Sequence, residues 1–184
     1  EKEKKDLYIE GIQNNGIINH YEYIINSEGT IEIRHVLKPE GKMPLWFPRI
    51  GLTLTVSDAL DQVKWYGRGP QENYPDRKTG YPTGIYASTV QAMYEPYLMP
   101  QDYGLRTDVR WLQLTTDKGI GLQFKMNEWF NFNIYPYSTD NLTKAMYTYQ
   151  LQKQKGMTLN LDYATTGVGC TARGVFGAYK AMPQ

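Results

Sequence analysis

The chain has 184 residues, of which 20 are Lys or Arg and 19 are Asp or Glu, so its formal net charge is +1. This balance does not favour nucleic-acid binders or polybasic membrane-surface proteins, and no apolar run approaches the ~20 residues of a membrane-spanning helix. One cysteine excludes an internal disulfide or a thiolate metal cluster, whereas 41% apolar and 14% aromatic residues indicate a folded, tyrosine-rich domain.

The pattern along the chain is that of β-strands. Residues 17–26 and 31–37 alternate apolar and polar side chains around a Ser27-Glu28-Gly29 turn, which predicts a hairpin. Further strands are predicted over residues 49–56, 62–66, 109–115, 120–126, 130–135 and 158–162. Only residues 139–152 have helical spacing. Because no βαβ rhythm appears, the sequence predicts an all-β antiparallel sandwich over residues 7–184, after a linker or frayed start at residues 1–6.

Two long segments without a strand pattern interrupt this series, over residues 67–80 and 94–104. Long loops in a compact domain are usually functional or disordered, and arginines and aromatic rings beside carboxylates favour function. We expect both loops to lie on or beside an exposed face of the domain and not to fold into its core.

The carboxylates of these loops allow two interpretations. Glycoside hydrolysis needs two carboxylates about 5–10 Å apart. Glu72 with Asp76 would supply such a pair in the first loop, and Glu95 with Asp102 in the second. Alternatively, each carboxylate accepts hydrogen bonds from loop amides or pairs with an arginine, which holds an irregular backbone in one shape. The available arginines are Arg68, Arg77 and Arg106. We favour this structural alternative.

The remaining residue types indicate no catalytic nucleophile and no metal site. His35, on an apolar strand face, is predicted to be a core histidine with a hydrogen-bond partner and not a base. Tyrosine, tryptophan and asparagine on loops also suit the stacking and hydrogen bonding by which binding modules hold sugars. The residues by themselves therefore indicate an all-β domain with loops suited to carbohydrate.

Several sequence blocks go further. The first loop has the sequence Trp65-Tyr66-Gly67-Arg68-Gly69-Pro70-Gln71-Glu72-Asn73-Tyr74-Pro75-Asp76-Arg77, after Pro48-Arg49-Ile50-Gly51-Leu52. Later blocks are Tyr94-x-x-Tyr97-x-x-Pro100-Gln101-Asp102-x-Gly104-x-Arg106, Ser138-x-x-x-Leu142 with Leu151, and Leu159-Asn160-Leu161-Asp162 before Gly167-Val168-Gly169. In this order they resemble the C-terminal domain of the large bacterial β-galactosidases of glycoside hydrolase family 2. Tyr147 and Tyr149 stand where histidine is common in that family.

The resemblance implies a large antiparallel sandwich, a supersandwich similar to the galactose mutarotases, packed against a catalytic barrel that carries both catalytic glutamates. The chain then resembles a truncated piece of a larger enzyme. Its expected function is to complete the galactoside pocket and to support assembly, without catalysis, in an enzyme that hydrolyses terminal β-galactosides. Expected partners are the barrel and other domains of the parent enzyme, galactosides, and further copies in a homo-oligomer. An independent carbohydrate-binding module is the alternative, and a mutarotase-like enzyme is disfavoured because the chain has only two histidines.

In the family, the first loop lies at the mouth of the galactose pocket. The resemblance therefore implies a pocket role for Gly69, Glu72, Asn73, Tyr74, Asp76 and Arg77. A possible second group comes from the next loop: Tyr97, Gln101, Asp102 and Arg106. No catalytic residue, metal ligand or cofactor is expected in this chain, since parent enzymes often use Mg²⁺ and Na⁺ or K⁺ bound elsewhere.

The tryptophans depart from the family pattern. The substrate-stacking tryptophan of the best-known members would fall near Arg173-Gly174, where this chain has none. The resemblance therefore does not decide between lactose and another galactoside as the substrate of the parent enzyme. The four tryptophans present are predicted to be core residues: Trp46, Trp65, Trp111 and Trp129. The compartment stays open between bacterial cytoplasm and periplasm.

Overall fold

The computed structural model describes residues 3–5, 17–40 and 47–168, which belong to two compact units, residues 1–45 and 46–184. The first unit contains an antiparallel sheet of β1 (Glu3–Lys5), β2 (Ile17–Ile25) and β3 (Ile31–Pro39), in that order. The predicted hairpin is confirmed, with Ile25 opposite Ile31 and Gly29 at φ 83° in the turn. β1 lies within residues 1–6, where the sequence predicts a linker or frayed start, and a single domain over residues 7–184 stays a prediction.

The histidine of the first unit has the partner that the sequence predicts. His35 Nε2 lies 2.9 Å from Asn19 Oδ1, and its ring stacks on Tyr21 with the ring centroids 4.2 Å apart. The side chain is half-buried and not in a core, and this burial lowers the pKa of His35. These contacts explain the residue without a catalytic role.

The second unit contains two four-stranded antiparallel sheets. Its strands are β4 (Arg49–Val56), β5 (Gln62–Arg68), β6 (Thr83–Thr89), β7 (Arg106–Val109), β8 (Trp111–Thr115), β9 (Gly121–Phe124), β10 (Phe130–Tyr135) and β11 (Met157–Thr165). One sheet has the order β4-β11-β10-β7 and the other the order β6-β5-β8-β9. We call them the β10 sheet and the β5 sheet.

The two sheets pack face to face around one hydrophobic core. Phe132 and Leu159 of the β10 sheet are fully buried, as are Trp65 and Leu112 of the β5 sheet. The Trp65 and Phe132 rings meet edge to face, with their centroids 5.9 Å apart. Each such side chain stabilises the fold by about 1.5–3 kcal/mol through removal from water. The predicted all-β antiparallel sandwich is therefore confirmed.

Three elements differ from the sequence prediction. β6 was not predicted, because threonine, glycine, alanine and serine leave it without a clear apolar alternation. The strand predicted over residues 109–115 is divided at Arg110 between β7 and β8. The helix predicted over residues 139–152 is divided into α1 (Thr139–Lys144), capped by Ser138 Oγ at 3.0 Å from Asn141 N, and a 3₁₀ turn at Thr148–Gln150.

The prediction that every tryptophan is a core residue is wrong for Trp129. Trp129 is 59% exposed, because it covers the guanidinium of Arg110, whose Cζ lies 4.4 Å from its ring centroid. The same guanidinium lies over the Tyr66 ring, with Cζ 4.8 Å from the ring centroid. Attraction between this cation and the aromatic rings keeps a large side chain in place at the surface. Trp65 is buried as predicted, Trp111 is half-buried, and Trp46 lies outside the described residues.

The face of the β10 sheet that points away from the core is polar and nevertheless buried. Asn133 of β10 and Asn160 of β11 are both fully buried. Asn160 Nδ2 donates to Asn133 Oδ1 at 2.8 Å and to the Tyr135 hydroxyl at 3.1 Å, and Asn160 Oδ1 accepts from Thr53 Oγ1 at 2.8 Å. We call this surface the polar face. Its hydrogen bonds offset the free-energy cost of burying these amides. The polar face also supports the second of the two long loops.

Candidate functional site

The first loop, predicted over residues 67–80, runs in the structure over residues 69–82, from the end of β5 to the start of β6. Basic and acidic side chains hold its two ends together. Arg68 Nη1 donates to the carbonyls of Lys78 and Tyr81 at 3.0 and 2.9 Å, which brings the two ends of the loop together. Asp108 accepts from Arg68 Nε at 2.5 Å and from Lys78 Nζ at 2.9 Å. Asp108 has φ 54°, a conformation that residues other than glycine seldom adopt. The base of the loop is therefore closed before its candidate residues begin.

Gly69 is the first of these candidates and is buried. A Cβ at this position would lie 2.8 Å from the Tyr86 ring and 3.0 Å from the Trp65 ring. The absence of a side chain thus lets the loop leave β5 directly over the aromatic side chains of the core.

Glu72 is the centre of the hydrogen bonding in the loop. Its Oε1 accepts from Arg77 Nη2 at 2.8 Å and from the Tyr97 hydroxyl. Its Oε2 accepts from the Tyr74 hydroxyl at 3.1 Å and from the amide of Gly104 at 2.9 Å. Tyr97 and Gly104 belong to the second loop, predicted over residues 94–104. One buried carboxylate therefore ties both loops together, and we call Glu72 with these four partners the Glu72 cluster.

The electrostatics of the cluster keep Glu72 ionised. Burial acts to raise its pKa, but hydrogen bonds from Tyr97, the Gly104 amide, Arg77 and Tyr74 outweigh burial and lower the pKa below the usual value. The pKa of Tyr97 rises to about 12, because of its own burial and its hydrogen bond to the carboxylate. Glu72 is therefore a fixed negative charge and not a proton donor.

Asn73 joins the first loop to β7 through both backbone and side chain. Its N–H donates to the Leu105 carbonyl at 2.8 Å, and its Oδ1 accepts from the amide and hydroxyl of Thr107 at 3.0 and 2.6 Å. Its Nδ2 donates to the Gln71 carbonyl at 3.0 Å. Because the residue is fully buried, these four bonds decide which side chain can stand here.

Arg106, the first residue of β7, is buried beneath the two loops. Its Nε donates to the Pro70 carbonyl at 3.0 Å and its Nη1 to the Gly104 carbonyl at 2.8 Å. The guanidinium also lies over the Trp65 ring, 5.5 Å from the centroid. Burial lowers the pKa of Arg106 to about 10, against the opposing effect of Glu72 and Glu95. The side chain still carries its charge near neutral pH, and it bonds to one carbonyl from each loop.

The end of the first loop meets the glycine-containing segment after β11. Asp76 Oδ1 accepts from the Val168 amide at 3.1 Å, and a Cβ on Gly167 would overlap the Asp76 carboxyl group. Arg77 lies over the Tyr74 ring at 5.3 Å while it bonds to Glu72. Gly169 and the expected position of the missing tryptophan lie outside the described residues.

The second loop is anchored on the polar face through Asp102. Its Oδ1 accepts from Asn133 Nδ2 at 2.8 Å and its Oδ2 from Arg49 Nη2 at 3.1 Å. Arg49 Nη2 also lies 3.2 Å from Oδ2 of Asp162, a buried oxygen without a well-directed hydrogen bond. Burial, opposed by Arg49 and aided by Asp102, raises the pKa of Asp162 to about 7. The exposed Gln101 side chain forms no hydrogen bond with described residues.

The structure brings most of the predicted site residues together. The structural alternative holds for Glu72 and Asp102, whose oxygens bond to loop and strand donors. The expectation that the loops stay out of the core is wrong for their anchors, since Glu72, Asn73, Tyr74 and Tyr103 are buried.

Sequence reasoning missed several residues on which the loops depend. These are Arg49, Lys78, Asp108, Asn133 and Asp162. Polar residues at alternate strand positions resemble a solvent face, and only an unusual excess of asparagine on β10 and β11 could have indicated burial. Among the residues that the structure describes, no three His, Cys, Asp or Glu side chains are placed to hold a metal ion. No helix in the described ranges is long and apolar enough to cross a membrane.

Comparison with known proteins identifies the family of this chain. The family model described as "Beta galactosidase small chain" matches residues 3–181. The chain is 38% identical over 147 residues to a beta-galactosidase of Priestia megaterium, 80% of this chain and 14% of that relative. It is 39% identical over 122 residues to one of Vibrio cholerae, 66% and 11%, and 33% identical over 159 residues to one of Pseudoalteromonas haloplanktis, 84% and 14%. The chain thus spans about one seventh or less of the length of these relatives, and it belongs to the β-galactosidase small-chain family.

Proposed function

We propose that this chain shapes the entrance of the galactoside pocket in a β-galactosidase and takes no part in bond cleavage. The observation that carries the proposal is the Glu72 cluster, in which one carboxylate fixes the two loops of the candidate site against each other. A pocket wall must hold its shape while substrate enters, and bonds of this kind between charged groups and donors supply that rigidity.

The states of the loop carboxylates support a role without catalysis. A glycosidase needs one protonated acid and one free carboxylate facing the same bond. Both oxygens of Glu72 and of Asp102 already accept bonds from the protein. The pKa of Glu95 is raised by burial and by the negative charge of Glu72. Glu72 cannot serve as the free carboxylate beside it, because both of its oxygens already accept hydrogen bonds.

The small share of the relatives that this chain covers supports a second part of the proposal. We place the catalytic carboxylates, and the chemistry on terminal β-galactosides, in the remainder of the enzyme, of glycoside hydrolase family 2 type, with this chain as the supersandwich module beside it. The parent enzyme is then a partner of this chain and assembles as a homo-oligomer.

The proposal is tested in the Priestia megaterium enzyme with its matching segment replaced by this chain. The isolated chain should not hydrolyse a nitrophenyl β-galactoside above the buffer rate, whereas the grafted enzyme should. In the grafted enzyme, Arg77→Ala removes one bond to Glu72 and should raise KM by about 3- to 10-fold with kcat changed less than about twofold, the pattern of lost binding. Steady-state kinetics measure both constants.

Arg34→Ala is the matched control. Arg34 is 58% exposed and Arg77 48%, and each pairs with a glutamate, but Arg34 lies on β3 outside both loops. Its KM should equal that of the grafted enzyme. Equal KM values for both variants would contradict the pocket role. Hydrolysis by the isolated chain, if Glu95→Gln abolishes it, would show that the loop carboxylates are catalytic.

A further inference from the structure

Two tyrosines after α1 form an exposed aromatic stack that the candidate site does not use. Tyr147 and Tyr149 are 57% and 79% exposed, their ring centroids lie 5.4 Å apart, and their planes differ by 7°. We call this pair the tyrosine platform. Burial in a core does not explain two aromatic rings held parallel at the surface, because most of their area remains in contact with water.

The backbone that carries the platform is fixed by side-chain amides on both sides. Gln150 Oε1 accepts from the amides of Met146 and Tyr147 at 2.8 and 3.1 Å. Asn141 of α1 donates to the Gln150 carbonyl at 3.3 Å and accepts from the Gln152 amide at 2.8 Å. The turn is thus ordered before any ligand arrives, which removes part of the entropic cost of binding.

The chemistry around the platform fits an uncharged ligand with both apolar and hydroxyl groups. The only charged side chains of α1, Asp140 and Lys144, pair with each other at 2.8 Å and leave no net charge. Gln150 and Gln152, close in sequence to the two tyrosines, are exposed. The face of an aromatic ring carries partial negative charge and attracts polarised C–H groups. A pyranose offers such C–H groups on one face and hydroxyls around its edge.

The platform shares its support with the candidate site. Leu142 of α1 and Leu151 after the 3₁₀ turn pack into one cluster with Tyr103 and Tyr135. Tyr97, which donates to Glu72, packs against the same cluster. The elements on either side of the platform and the second loop therefore pack on one set of buried side chains.

We propose that the tyrosine platform is an accessory carbohydrate site that binds one neutral pyranose ring by stacking. The choice of a galactoside as this sugar rests on the proposed pocket function, since galactose presents several C–H groups on the face opposite its axial hydroxyl. The site itself depends on the stacked rings and the exposed amides, and it does not require the Glu72 cluster.

The test is a titration of this chain with methyl β-galactoside, monitored by NMR of ¹³C-labelled tyrosine rings, with glycerol at equal concentration as the solvent control. Saturable shifts of the Tyr147 and Tyr149 signals are expected, with a Kd in the millimolar range that a single ring stack allows. Tyr149→Ala should weaken binding by about tenfold or abolish it, and Tyr149→Phe should retain it because stacking needs only the ring.

Tyr163→Ala is the matched control, since Tyr163 is a tyrosine of β11 that is 46% exposed and lies outside the platform. It should bind like the unchanged chain, and unchanged core methyl signals show that each variant is folded. Shifts that do not saturate, or that persist equally in Tyr149→Ala, would overturn the proposal. Arg77→Ala should leave this titration unchanged, so a failure of the platform is distinguishable from a failure of the pocket role.

Discussion

At the scale of single residues, the first loop is specified by groups that have no alternative partner. Asn73 is both a donor to the Gln71 carbonyl and a double acceptor from Thr107, in a fully buried place. Aspartate has nearly the same shape and keeps the acceptor, but it has no donor for Gln71 and brings a charge. An aspartate at position 73 therefore changes the hydrogen bonding and the charge of the side chain while it keeps the shape.

We expect Asn73→Asp to destabilise the protein by about 2–4 kcal/mol, the range for a buried polar group left without its partner or for an unpaired buried charge. Urea denaturation at neutral pH measures the loss. Asn26→Asp is the control, because the exposed side chain of Asn26 accepts from the amides of Glu28 and Thr30 through Oδ1, as an aspartate also does. A similar stability for the two variants would show that Asn73 Nδ2 contributes nothing.

Asp162 should make stability depend on pH near neutrality. Its pKa in the folded chain is about 7, against about 3.9 in an unfolded chain, so the folded state holds a proton that the unfolded state releases. The free energy of unfolding should therefore fall as pH rises from about 4 to 7 and level off above 7. The charged groups that act on Asp162 are Arg49 and Asp102.

In Asp162→Asn this fall should disappear. Urea denaturation at pH 5, 6, 7 and 8 should show a smaller loss of stability in the variant than in the unchanged chain, by up to a few kcal/mol. The pKa values of Glu72 and Asp108 are lowered, so their contributions to the free energy of unfolding are lost only at lower pH. The contribution of His35 is the same in the variant and in the unchanged chain. Parallel curves would mean that Asp162 is ionised throughout this range.

At the scale of elements, the pairing of β4 with β11 depends on one close approach. A Cβ on Gly51 would overlap the Leu161 carbonyl oxygen and lie 2.6 Å from the Asp162 Cα. The register of the two strands shifts next to this point, between Asp162 and Ala164. Because backbone atoms of a central strand cannot move aside easily, β4 must lack a side chain here.

Gly51→Ala should therefore cost about 1–3 kcal/mol of stability, the range for overpacking in a closely packed interior. Thermal unfolding monitored by circular dichroism measures the change. Gly80→Ala in the first loop is the matched control, since no atom lies within 4 Å of its added Cβ, and it should leave the melting temperature almost unchanged. An equal effect of the two substitutions would contradict the close approach.

At the scale of the whole molecule, the sequence predicts those features that depend on local alternation. Phe130, Phe132 and Ile134 alternate with Asn131 and Asn133, and this places β10 and its core face correctly. The long motif of the first loop and the block that begins at Tyr94 picked out both loops, the second as a possible addition to the site, and the Glu72 cluster joins the two loops.

Features that depend on distant chain segments could not be predicted in the same way. Asn133 stands where a solvent-facing side chain is expected, but the second loop covers it and Asp102 bonds to it from 31 residues away. Tryptophan is a residue type that is usual in cores, but Trp129 is exposed. Its contact with the Arg110 guanidinium accounts for this placement. Alternation reports which side of a strand a residue occupies, not which distant segment covers that side.

The Glu72 cluster also decides how this segment can change over evolution. Tyr74, Arg77 and Tyr97 all bond to one carboxylate, so an apolar residue at position 72 leaves three side chains without this acceptor at once. Substitutions there have to arrive as compatible sets, which slows drift at these sites. Leu98 and Met99, exposed at the tip of the second loop, carry no such constraint. Sequence diversity can therefore accumulate at the tip of the second loop while its anchors stay fixed.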